Sequence, residues 1–164
     1  MAAEFLRAAA ARRIPTLLDT YGEALRQGLE TPPTIVKANR HEVSGLLGRP
    51  VDTMTEQLSA LDGMRRSGAQ WAILTLGEEG ALFSAGASRW LARAPHVQVV
   101  NPMGSGDAMT AGVLTGLLRG WPPEECFRYG MAAAVANVQS FFPCRITAQA
   151  VEEMGERIAV VPCG

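Results

Sequence analysis

Apolar residues along this chain fall into short runs and helical stripes, separated by glycine, proline and small polar residues. Phe5, Leu6 and a series of alanines between Arg7, Arg12 and Arg13 predict a helix over residues 2–13, followed by a buried strand over 14–19. After Pro32-Pro33, Thr34 to Lys37 reads as a second strand, and Asn39 can cap a helix running to about Leu47, where Gly48 and Pro50 end it. The rhythm repeats. Thr53 or Thr55 caps a helix to about Ser67-Gly68, and Trp71 to Leu76 forms a strand that stops at Gly77. Alternating helix and strand predicts a parallel sheet with helices on its faces. Shorter segments at 81–84, 88–92 and 97–100 predict an antiparallel or mixed edge, and helices are predicted over 106–119, 123–140 and 147–158. No repeat or linker divides the pattern, so the expectation is one layered α/β domain over 1–164.

Composition narrows the function classes. The chain has 164 residues, 48% of them hydrophobic and 19% charged, which suits a globular protein. Fifteen basic residues against 16 acidic give a net charge of -1, with no electrostatic case for nucleic acid or an anionic membrane. Charges interrupt the opening segment and there is no apolar run of about eighteen residues, so neither a signal peptide nor a membrane span is expected. Cys126, Cys144 and Cys163 lack the spacing of a zinc site or disulfide framework. Together these features predict a soluble cytoplasmic protein. The single lysine, Lys37, stands among arginines that supply every other basic residue.

Three segments could carry chemistry. In Val99 to Gly112, a predicted strand passes through Gly104-Ser105-Gly106-Asp107 directly into a helix. The first amides of a helix lack internal partners, so those around Gly104, Ser105 and Gly106 can converge on an anion. Asp107, in the first turn, lies where the macrodipole favours negative charge and could take a proton from an attacking hydroxyl. The same residues could equally serve as a plain helix cap. Thr75-Leu76-Gly77-Glu78-Glu79-Gly80 ends a strand on the edge where open α/β sheets bind ligands, or is an ordinary turn. In Lys37-Ala38-Asn39-Arg40-His41-Glu42, Asn39 and Glu42 are helix neighbours that could orient magnesium or its waters, or form a capping box. No GxxxxGK[ST] or GxGxxG occurs, which disfavours a Walker-type phosphate loop and a dinucleotide-dependent oxidoreductase.

Taken in order, the three segments resemble the ribokinase-like PfkB family of sugar and sugar-phosphate kinases. Gly104 to Asp107 resembles the family's G-A-G-D signature, Thr75 to Gly80 its [ST]-L-G-x-x-G loop, and Lys37 to Glu42 its K-P-N-x-x-E segment. Leu18 to Leu25 is similar to the 1-phosphofructokinase branch. The resemblance implies a three-layer α/β/α fold with a mainly parallel sheet and an ATP-dependent transfer to a sugar hydroxyl. Asp107 would be the base and Gly104, Ser105 and Gly106 the anion hole for the γ-phosphoryl. Thr75, Leu76, Gly77 and Gly80 would cradle ATP, while Asn39 and Glu42 would position Mg2+ with Lys37 nearby. Asn137 would fall near the nucleotide or a monovalent cation, or make a polar core contact.

Pro102 and Ala38 depart from the family's threonine and proline, and Ser105 from its alanine. The chain matches the C-terminal, nucleotide-binding portion, without the N-terminal strands, the β-sheet lid or most sugar-binding residues. An uncovered sheet edge then predicts a homo-oligomer or a complementing chain. The competing reading is a noncatalytic nucleotide-binding or interaction module.

Overall fold

The computed structural model describes residues 2–164. The elements run α1 (Ala2–Ala11), β1 (Leu17–Asp19), α2 (Gly22–Leu29), β2 (Ile35–Asn39), α3 (Arg40–Leu47), α4 (Met54–Arg66), β3 (Trp71–Thr75) and a single 3-10 turn (Gly77–Glu79). They continue with β4 (Ala81–Ala85), β5 (Ser88–Arg93), α5 (Ser105–Leu118), α6 (Pro123–Val138), α7 (Ala148–Gly155) and β6 (Ala159–Pro162). The six strands lie in chain order across a mixed sheet, parallel from β1 to β3 and antiparallel from β3 to β4. The chain divides into two compact units. One holds the residues up to Gly77 with Ala81–Arg89 and Pro162–Gly164, and the other holds Glu78–Gly80 with Trp90–Val161.

In the first unit, β2 and β3 are the continuous apolar strands that a two-sided parallel sheet requires. Ile35, Val36, Ala38, Ala72, Ile73 and Leu74 are all buried, with Leu25 of α2 and Leu61 of α4 among the large core residues. Thr53, rather than Thr55, caps α4, and Glu56 reaches back to complete the capping box. The hydrophobic pattern does not predict the helix α2. Its apolar side is slight, with Leu25 and Gly28 as its buried residues. Its exposed side is knitted instead by Arg26, which bonds Glu23 at 2.6 Å and Glu30 at 3.0 Å. That guanidinium, with the Gln27 amide, holds the Glu23 carboxyl down at about 2.

The one buried charge of β2 has a partner across the β1–β2 register, where Lys37 Nζ meets Asp19 Oδ2 at 2.5 Å. Lys37 is 5% exposed, whereas the Asp19 side chain keeps 28% of its surface. Losing the aspartate therefore costs more than losing the lysine, because the stranded ammonium has less access to water. Asp19→Asn should destabilise the protein by about 2–3 kcal/mol and Lys37→Met by about 1 kcal/mol or less in urea unfolding. The reverse order would refute this account of the pair.

In the second unit, α5 and α6 meet backbone to backbone. A Cβ built on Gly112 would lie 2.8 Å from Gly130 Cα, and one on Gly130 would lie 2.5 Å from Val113 Cγ2. Ala133 Cβ lies 3.1 Å from where a Cβ on Gly112 would stand, and Val113, Phe127 and Met131 are buried on the same two helices, while Ala132 lies toward Gly155 of α7, whose Val151 and Met154 are buried too. Two expectations are corrected here. Residues 97–100 form no strand, because the amides of Val100 and Asn101 both go to the Val138 carbonyl at the end of α6. The last helix stops at Gly155 rather than 158, and the chain returns through buried Ile158 into β6. Among the described residues no helix is long and apolar enough to cross a membrane.

Candidate functional site

Asn101 opens the loop before α5 with a local turn, its Oδ1 accepting from the Met103 amide at 3.0 Å. Gly104 then occupies the N-cap position at φ 79, a left-handed conformation that would strain any residue with a Cβ. Such a Cβ would also lie 3.0 Å from Cys144 Sγ and 3.1 Å from Pro143 Cβ. The turn commits the Ser105 amide to the Pro102 carbonyl and the Ala108 amide to the Gly104 carbonyl. The amides of Gly106 and Asp107, both exposed residues, find no acceptor among the described residues. No side chain caps the helix. Ser105 Oγ turns back to Pro102 O at 2.7 Å, and Asp107 projects its carboxylate from the first turn. The cap alternative thus fails for both side chains. What remains is a donor-rich helix start with an exposed carboxylate beside it.

Asn137 holds this loop in place from beneath. It is fully buried in the last turn of α6, and its Nδ2 donates to Met103 O at 2.8 Å and to Ser105 Oγ at 3.2 Å. Its Oδ1 accepts from the Cys144 amide at 2.7 Å. The carboxamide is spent on the protein, so the polar-contact alternative describes it. Asn101 adds a further tie, Nδ2 to Phe141 O at 3.0 Å.

In the first unit, Asn39 and Thr75 are register partners at the carboxyl ends of parallel β2 and β3. Asn39 Oδ1 accepts from the Glu42 amide at 2.9 Å and Glu42 Oε2 from the Asn39 amide at 2.7 Å, the full capping box of α3. The box uses Oε2 and leaves Glu42 Oε1. Lys37 is tied to Asp19, not displayed at this edge. Leu76 is buried, and its carbonyl accepts from Arg40 Nη2 at 3.2 Å. Arg40, passed over in the sequence, therefore ties the start of α3 to the loop after β3. Gly77 opens the 3-10 turn at φ 67. In the second unit, Gly80 sits at φ 104 with Ala92 O only 2.0 Å from where a Cβ would stand, so both its backbone conformation and its packing require glycine.

Cysteine chemistry reports on the loop. Cys144 is exposed with Sγ 3.6 Å from Gly104 O, while Cys126 is buried and burial pushes its thiol up to about 11. At pH 8, iodoacetamide should modify Cys144 and spare Cys126 until the protein unfolds, as peptide mass mapping would show. Early labelling of Cys126 would contradict the packing of α6 on α5.

The sequence pattern of the pfkB family carbohydrate kinases matches residues 1–145. The chain belongs to the PfkB family. The 1-phosphofructokinase of Escherichia coli strain K12 is 35% identical to this PfkB chain over 122 residues, 74% of the chain and 39% of the enzyme. The crystal structure of Escherichia coli phosphofructokinase-2 in complex with potassium superposes with a TM-score of 0.89 at 25% identity, over 95% of this chain and 51% of that one. Arabidopsis thaliana ribokinase complexed with ribose and ATP gives 0.81 at 25% identity, over 94% and 52%. The PfkB chain thus has the ribokinase-like α/β fold and spans about half the length, or less, of the relatives it matches.

Proposed function

We propose that this chain is the nucleotide-binding, base-bearing part of an ATP-dependent carbohydrate kinase, acting on a hydroxyl of a sugar or sugar phosphate. One observation carries the reading: exposed Asp107 stands in the first turn of α5 beside two amides without partners, after a left-handed Gly104. Such a helix start stabilises the negative oxygens of a transferring phosphoryl group, and the carboxylate accepts the proton of the attacking hydroxyl. The acceptor oxygen forms its bond to the γ-phosphorus as the bond to ADP breaks, and the hydroxyl proton passes to Asp107. Gly104, Ser105 and Gly106 shape the anion hole, with Asn137 as its support. At the ends of β2 and β3, Thr75, Leu76 and Gly77 offer backbone to the nucleotide, and Gly80 fixes the turn that follows.

Among the described residues no three acidic, histidine or cysteine side chains gather to hold a resident metal. Asn39 and the spare Glu42 Oε1 fit the other mode, in which Mg2+ keeps its waters and arrives on the phosphates of a nucleotide. Bound there, the ion would neutralise charge on those phosphates. Calorimetry should show saturable binding of Mg·ATP, weakened by about tenfold or more when the magnesium is chelated. Absence of nucleotide binding with and without magnesium would sink the reading.

The partial span supports a second reading, a nucleotide-binding module without transfer, because acceptor positioning dominates phosphoryl transfer and could lie in the part not matched. The sheet also begins with β1, a three-residue edge strand paired to β2. A second copy or a complementing chain covering that edge is proposed for the same reason. A strictly monomeric mass by light scattering would remove the second copy from the account.

A further inference from the structure

A cleft of about 260 Å³ lies between the last turns of α4 and the turn joining β4 to β5. Asp62, Arg65, Arg66, Ser84 and Arg89 line it, three positive charges against one negative. Arg89 and Asp62 neutralise each other through a two-pronged pair, Nε to Oδ1 at 3.0 Å and Nη2 to Oδ2 at 2.7 Å. The surplus charge therefore rests on Arg65 and Arg66. Arginines in a final helical turn often just complement the macrodipole, and that is enough to account for exposed Arg66.

It does not account for Ser84. This residue is 1% exposed on a strand whose other positions, Ala81, Leu82, Phe83 and Ala85, are all buried and apolar. Among the described residues its Oγ has no hydrogen-bond partner, and neither does the buried Nε of Arg65 on the same cleft. Two orphaned polar groups in one place are costly, and native proteins complete such groups with a ligand, an ion or ordered water. Both can donate, and both line a recess of surplus positive charge. Their common complement is an oxyanion.

We infer that the α4–β4 cleft is a second anion site, taking the phosphate group of a small molecule through Arg65, Arg66 and Ser84. The volume suits inorganic phosphate or a short phosphomonoester and is too small for a nucleotide. The site shares no residue with the Gly104–Asp107 loop, so it does not depend on the kinase reading.

The test is an NMR titration of the full chain with inorganic phosphate, and in parallel with glycerol phosphate, against chloride at equal ionic strength. The expected result is saturable movement of the Arg65 and Arg89 Nε–H signals and of the Gly86 and Ala87 amides. Ser84→Ala, a change its apolar neighbours accommodate, should weaken that response about fivefold, and Arg65→Gln about tenfold. Asp107→Asn should leave it unchanged. Saturation by glycerol phosphate but not phosphate would assign the site to a phosphomonoester. Movement confined to residues 104–107, an equal response to chloride, or unaltered affinity in both cleft variants would overturn the proposal.

Discussion

Asp107→Asn should lower phosphoryl transfer by about a thousandfold while leaving the affinity for Mg·ATP within about a factor of three. The carboxylate is exposed and caps nothing, so its replacement removes a proton acceptor without disturbing the fold. The isosteric amide keeps the shape of the first turn and cannot take up the hydroxyl proton. The fall should appear in kcat with little change in KM for the nucleotide. Calorimetry on the same variant supplies the control. A variant that turns over at the wild-type rate would remove Asp107 from the mechanism, and one that no longer binds nucleotide would recast it as a binding residue.

Asn137→Ala should have the largest effect on stability, about 3 kcal/mol, or a fall in Tm of about 6–12 °C for a chain of this size. The substitution strands the Cys144 amide and the Met103 carbonyl, both bonded to the carboxamide, and releases Ser105 Oγ. Because these atoms belong to the loop before α5 and the segment that backs it, the loss is also local. Residues 101–105 should exchange their amide hydrogens faster than α6 itself, and Mg·ATP should bind more weakly. A variant with unchanged Tm and unchanged exchange would show that the loop holds its shape without Asn137.

Much of this arrangement was legible because the strongest patterns were those of buried parallel strands. Ile35-Val36-Lys37-Ala38 and Trp71 to Leu74 could scarcely be anything else between glycine and proline breaks, and the pair Asn39 with Glu42 and the threonines at 53 and 55 marked the helices that follow. The start of α5 was legible for the same reason, since glycines between a hydrophobic run and a helical stripe leave few other conformations. Apart from α2, whose charge pairs are local, what escaped detection depends on partners distant in sequence. The helix α2 buries one large side chain and is held by surface charge pairs, a pattern that periodicity cannot register. Val97 to Val100 have strand-like composition, but the Val138 carbonyl claims the last of their amides. The resemblance puts Lys37 near Asn39 and Glu42, and no local motif announces that its ammonium goes to its register partner Asp19. Arg40 and Asn137 act through carbonyls 36 and 34 residues away, which no local motif announces.

The most direct test of the account is a transfer assay: the chain, Mg·ATP labelled in the γ-phosphoryl, and a panel of hexoses, pentoses and their phosphates, with products separated from ATP. The account predicts magnesium-dependent labelling of at least one sugar or sugar phosphate, lost in Asp107→Asn. Saturable Mg·ATP binding with no label in any acceptor would contradict it, and would leave the chain a nucleotide-binding module built on the fold of a kinase.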